Sequence, residues 1–173
     1  KTAVTRNVGL DFGGALVSYN GLLDIQSSTV AGNTANYGSA LNVRESAIII
    51  KNSIFWANGE NSFYSGLGNE PSMMTVEYSN FYGGEEYLSL SSNTILNWGF
   101  GNFNSDPMFC APDEGDFTLQ ENSFCLNASD SSGLIGAYEQ TCIEQLNIHK
   151  SDLPQNFSLF QNYPNPFNPI TMI

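Results

Sequence analysis

Residues Leu23–Asn33, LDIQSSTVAGN, return twice farther along the chain at a nearly constant spacing. Ile25, Ser28, Val30 and Gly32 are matched 25 residues on by Ile50, Ser53, Phe55 and Ala57, and 26 residues beyond those by Val76, Ser79, Phe81 and Gly83. A repeat of that length is one turn of a solenoid. In each copy the apolar residues alternate with others, as in Leu23 and Ile25, Ile48 and Ile50, Met74 and Val76, which is the period of a strand with one buried face. Gly13-Gly14-Ala15-Leu16-Val17 likewise returns as Gly38-Ser39-Ala40-Leu41-Asn42. Each coil therefore carries at least two short strands and a small-residue corner, with no helix between them. Equivalent strands of successive coils can then pair only in a parallel β-helix, an all-β fold in which each coil hydrogen-bonds to the next. This register stacks Ile25, Ile50 and Val76 in one buried column and Val30, Phe55 and Phe81 in another. Trp56 and Tyr82, one step along, fall on the outside.

The composition agrees with such a fold and narrows the partners. Of 173 residues, 41% are hydrophobic and 13% aromatic, enough for a core, while only 13% are charged. Abundant Asn, Ser and Gly supply the corners and a neutral polar surface. Five Lys and Arg against seventeen Asp and Glu leave a net charge of −12, which repels phosphate backbones and anionic membranes. Nucleic acid is excluded as the expected partner. No run approaches the roughly 18 apolar residues of a membrane span. The opening KTAVTRNVGL has no signal-peptide apolar region, so a leader has been removed or the start is internal.

Residues 1–22 read as an incomplete first coil, and 23–57 as the two clearest. Residues 58–72, NGENSFYSGLGNEPS, interrupt the spacing with Gly, Asn and Pro and are expected to form a loop bulging from the corner. Insertions of this kind often make the binding face of a solenoid. A third coil follows over 73–84, and 87–96 supplies a weaker turn.

From Trp98 the pattern changes. Gly101-Asn102, Asp106-Pro107-Met108-Phe109, Gly115-Asp116-Phe117-Thr118-Leu119 and Ile135-Gly136-Ala137-Tyr138 together resemble the final coils of a widespread group of bacterial secreted right-handed β-helix proteins. Farther on, Tyr163-Pro164-Asn165-Pro166-Phe167-Asn168-Pro169, preceded by Leu153-Pro154 and Phe157-Ser158-Leu159, resembles the opening of the C-terminal sorting domain of type IX secretion cargo. That resemblance implies the first strands of an immunoglobulin-like sandwich, the type IX machinery as a partner, and an extracellular or outer-surface address. The organisation expected is a right-handed β-helix with terminal coils over 1–142, a linker over 143–152, and an incomplete sorting domain over 153–173.

An extracellular address favours disulfides. Cys110 and Cys125 flank the Gly115-Asp116 turn and are the expected pair. Their loop of about 15 residues would contribute roughly 3 kcal/mol through the unfolded state, leaving Cys142 free or bonded to another chain. The alternative is three buried thiols. No Cys-x-x-Cys pattern or His cluster suggests a metal, and no cofactor is expected. Glu85-Glu86 and Asp113-Glu114 read as turn residues with calcium ligation as their alternative. His149, the lone His, reads as a surface residue of the linker.

β-Helix proteins that cleave polysaccharides set convergent carboxylates on one exposed sheet. In the present register Asp24 is followed by Ile49 and Thr75, and Glu77 is preceded by Lys51 and Gln26, so no acidic column forms. Trp56, Tyr64 and Tyr82 are the candidate binding residues, as an aromatic platform for sugar. The sequence thus favours a secreted or surface-displayed β-helix without a catalytic role, for adhesion, surface structure or filament assembly. The rivals are the C-terminal part of a carbohydrate-active lyase or glycosidase, and a carbohydrate-binding module. Paired acids would favour the enzyme, an exposed aromatic row the module, and contacts between copies the assembly. A chain that opens inside a coil and stops after FNPITMI is expected to present two unlike unfinished β surfaces. They are covered either by head-to-tail self-assembly or by residues beyond both ends.

Overall fold

In the computed structural model, which describes residues 1–59 and 61–142, the chain winds as a parallel β-solenoid with three strands in each coil. The first coil contributes β1 (Ala3–Thr5), β2 (Leu16–Tyr19) and β3 (Leu22–Gln26), and the second β4 (Thr29–Ala31), β5 (Leu41–Arg44) and β6 (Ala47–Lys51). The third contributes β7 (Ile54–Trp56), β8 (Phe63–Ser65) and β9 (Ser72–Glu77), and the fourth β10 (Asn80–Phe81), β11 (Leu88–Ser89) and β12 (Thr94–Trp98). Equivalent strands line up in three sheets, β1-β4-β7-β10, β2-β5-β8-β11 and β3-β6-β9-β12, referred to below as the first, second and third faces. All their pairings are parallel.

The register follows the repeat. Ile25 pairs with Ile50 and Ile50 with Val76, all buried on the third face. On the first face Val30, Phe55 and Phe81 pair in turn, and the Phe55 and Phe81 rings stack at 4.8 Å. Each such side chain contributes about 1.5–3 kcal/mol by leaving water. Residues 58–72 depart from the expected single loop. Phe63–Ser65 form β8 and pair with Leu41, Asn42 and Val43, which brings the Phe63 ring within 5.1 Å of both Phe55 and Phe81. Gly, Asn and Pro on either side hide this strand, three residues being too short for its alternation to register.

Corner residues connect the coils through their side chains. The Ser28 amide donates to Ser53 Oγ, the Ser53 amide to Ser79 Oγ and the Ser79 amide to Asn102 Oδ1, each at 3.1 Å. The hydroxyls of Ser28, Ser53 and Ser79 donate to the carbonyl two residues before each. At the next corner the Asn7 amide donates to Asn33 Oδ1 at 2.9 Å and the Asn33 amide to Asn58 Oδ1 at 3.1 Å. Among the described residues no buried side-chain nitrogen or oxygen lacks a hydrogen-bond partner.

After Phe103, which bridges to Asn80, the chain leaves the three-faced winding and lies across the outside of the first face. Strands β13 (Phe109–Ala111), β14 (Asp116–Gln120) and β15 (Gln140–Cys142) form a separate sheet in which β13 and β14 are antiparallel. Its Phe109, Phe117 and Leu119, with Cys125 and Ile135, pack on Ala31 and Ile54, the outward residues of β4 and β7. The first face is therefore buried on both sides. Polar contacts fix the docking: the Gly136 amide donates to the Asn52 carbonyl at 2.8 Å, and the Ala137 amide to Thr29 Oγ1 at 3.0 Å. Asp130 closes the far edge, bonded to Lys51 at 2.8 Å and exchanging hydrogen bonds with the Asn52 side chain. The Lys51 ammonium, followed by the Asn52 amide, holds the Asp130 carboxyl below its usual range.

This layer overturns the expected Cys110–Cys125 bond. The disulfide joins Cys110 to Cys142, with Cα atoms 6.1 Å apart. Strand alternation gives the reason: Phe109 turns into the interface, so Cys110 faces away from it, while Cys125 lies fully buried on the solenoid side beneath Asn80, whose amide donates to Sγ at 3.4 Å. Burial pushes the Cys125 thiol up. The bond spans 32 residues, and closing that loop contributes about 3–4 kcal/mol through the unfolded state. The linker 143–152, with His149, and the sorting segment 153–173, with Tyr163–Pro169, lie outside the described residues.

Three expectations follow from this packing. Non-reducing peptide mapping should recover Cys110 linked to Cys142, with Cys125 alkylated only after denaturation; a Cys110–Cys125 peptide would contradict the layer. Phe55→Ala should cost about 3–5 kcal/mol in denaturant unfolding, against less than about 0.5 for the exposed Val17→Ala. Because the folded-state pKa of Asp130 is depressed, its contribution is present above the unfolded carboxylate pKa and lost as pH falls through the folded value. NMR titration should find the Asp130 carboxyl below the ordinary range, and Lys51→Met should raise it.

Candidate functional site

The corner turn that follows β7 carries a broad concavity. A groove of about 700 Å³ opens there between Asn58, Asn61 and Ser62 on one side and Tyr82, Glu86, Tyr87 and Ser89 on the other. Tyr82 projects from the first face one residue past the buried Phe81, and Tyr87 closes the short 3-10 turn Glu85–Tyr87. Their rings meet edge to face at 5.7 Å, and Trp56 meets Tyr82 in the same way at 5.1 Å. An edge-to-face contact covers at most one face of one ring of the pair, and Tyr82 and Tyr87 remain 51% and 63% exposed. The turn demands Gly83 and Gly84, both at positive φ, and a Cβ on Gly83 would fall 2.2 Å from the Tyr87 ring. Amides, hydroxyls and one carboxylate around exposed aromatic faces are the donors and acceptors a sugar ring requires.

A second aromatic set begins beside this groove. Ser89, which lines it, pairs in register with Tyr64. Tyr64 leads to Tyr37 at 5.0 Å and Tyr37 to Phe12 at 5.4 Å, one ring per coil. The three candidate binding residues are thus divided. Trp56 and Tyr82 meet, whereas Tyr64 belongs to the Phe12–Tyr37 row and makes no ring contact with either. Trp56 faces outward, as the register requires, yet is half-covered by the layer. Sequence reading missed Tyr87, Tyr37 and Phe12. Phe12 and Tyr37 stand at the repeat offset of 25 residues and could have been found from it; Tyr87 follows an irregular turn and carries no periodic signal.

The carboxylates on the repeat strands stay apart. Asp24 pairs with Ile49, and Glu77 with Lys51, in the register read from the repeat. Glu45 accepts a hydrogen bond from the Asn69 amide at the opposite corner. Among the described residues no three His, Cys, Asp or Glu side chains gather where they could hold a metal ion, and no helix is long and apolar enough to cross a membrane. No protein-family model, curated protein or solved structure matches the chain.

Proposed function

We propose that the protein is a secreted or surface-displayed β-helix that binds a glycan without cleaving it, exported by type IX secretion. The observation that carries this reading is the groove over Tyr82 and Tyr87, with Asn and Ser side chains and Glu86 around exposed aromatic rings and an aromatic row leading from it along the coils. A β-helix fold is compatible with a surface or carbohydrate-related role. The Cys110–Cys142 bond supports an oxidising compartment, and the Tyr163–Pro169 motif supports the route of export. In the Tyr82 groove a single carboxylate, Glu86, beside an aromatic cluster favours holding a sugar over hydrolysing it, because glycosidic cleavage usually needs two carboxyl groups flanking the bond.

Titration calorimetry with neutral oligosaccharides tests the reading. Tyr82→Ala and Tyr87→Ala should each weaken binding about tenfold, equivalent to about 1.4 kcal/mol, with the melting temperature held. Binding that survives both substitutions would place the glycan elsewhere, and turnover of the oligosaccharide would reject the non-catalytic part. Deleting Tyr163–Pro169 in a type IX-secreting host should retain the protein inside the outer membrane.

A further inference from the structure

On the other side of the same corner lies a second groove, of about 510 Å³, between the solenoid and the layer packed against it. Trp56, Met108 and Phe117 line it with apolar surface, and Arg6, Asp106 and Asp113 with charge, Asp106 Oδ1 also accepting from the Met108 amide at 2.8 Å. Ala57 lines both grooves, so only the corner turn separates them. Arg6 sits at a left-handed corner in column with Gly32 and Ala57. Its stem runs past Gly32, where a Cβ would meet Cγ at 3.5 Å, and its guanidinium reaches the layer at Gly115, where a Cβ would stand 3.2 Å from Nη1.

Arg6 differs from Lys51 and Arg44. Lys51 is paired with Asp130, and Arg44 lies over the Tyr19 ring at 5.2 Å. Among the described residues the Arg6 guanidinium has neither an ion pair nor a hydrogen bond. A planar fork of N–H donors beside an aromatic wall matches a carboxylate carried by a ring whose C–H face can lie on that wall. Asp106 and Asp113 decide which anion. Two carboxylates in the same groove repel a dianion such as phosphate, but each accepts hydrogen bonds from hydroxyls. A group with one negative charge and several hydroxyls satisfies both kinds of lining.

We propose that this second groove binds a carboxylated sugar residue, its carboxylate on Arg6, its hydroxyls on Asp106 and Asp113 and its ring against Trp56, so that the ligand is an acidic glycan lying across the corner between the two grooves. The inference rests on the glycan reading of the Tyr82 groove and adds the charge class. In a chain of net charge −12 the attraction is local, and added salt weakens it.

Calorimetry on the full chain, at low and at physiological salt, would use an oligosaccharide alternating glucuronic acid with a neutral sugar, and the same oligosaccharide with its carboxyls reduced to alcohols. Wild type should bind the acidic form about tenfold more tightly. Arg6→Gln should abolish that preference, and Arg6→Lys should restore part of it, a point charge lacking the fork. Equal binding of the two forms by wild type, or a preference that persists in Arg6→Gln, overturns the inference; Tyr82-dependent binding of the reduced form would leave the first reading standing. Binding of neither form rejects both.

Discussion

At each corner of the solenoid a backbone amide turns out of its sheet and loses its strand partner, and an amide left unpaired in a buried corner costs about 1–3 kcal/mol. The side chain of the next coil meets that need. Ser53 accepts from the Ser28 amide and Ser79 from that of Ser53, while Asn33 and Asn58 do the same one corner on. Each bond is possible only when coils stack without slip, since a shift of one residue would carry the hydroxyl to the opposite side of the strand. The ladders therefore hold the register that the apolar columns fill, and Phe55 and Phe81 can stack because Ser53 and Ser79 are already aligned.

A locked register makes the surface a copy of the repeat. Whatever points outward at one position points outward at its equivalents, so a single aromatic choice becomes a row, as Phe12, Tyr37 and Tyr64 show. The same rule disperses charge. With Asp24 followed by Ile49, and Lys51 standing beneath Glu77, acids do not accumulate along a sheet. Binding by contact with rings, amides and hydroxyls suits such a surface better than acid–base chemistry, which needs two groups brought together from different positions.

The layer over the first face changes what the solenoid can present. By covering Ala31 and Ile54 it removes an apolar strip from water, and by stopping short of the corner it creates a groove beside Trp56. Lys51 with Asp130 fastens it to the solenoid at one edge, and the Cys110–Cys142 bond ties β13 to β15 within it. The corner after β7 is where solenoid, layer and the Tyr82–Tyr87 turn converge, and both grooves share it.

The repeat by itself determined the solenoid, its buried columns and the outward direction of Trp56 and Tyr82, because each of these depends only on contacts between neighbouring coils about 25 residues apart. Pairing at a fixed offset leaves a periodic trace in the chain. Tertiary structure decided the remainder. The layer docks through Asn52 and Asp130, 78 residues apart, and through Thr29 and Ala137, 108 apart, and contacts made once leave no period. The disulfide partner depended on which side of β13 faced the core, a choice invisible before the layer had a face to pack on. The Tyr82–Tyr87 groove and the reach of Arg6 toward Gly115 likewise come from two segments meeting in space, each unremarkable in the chain alone.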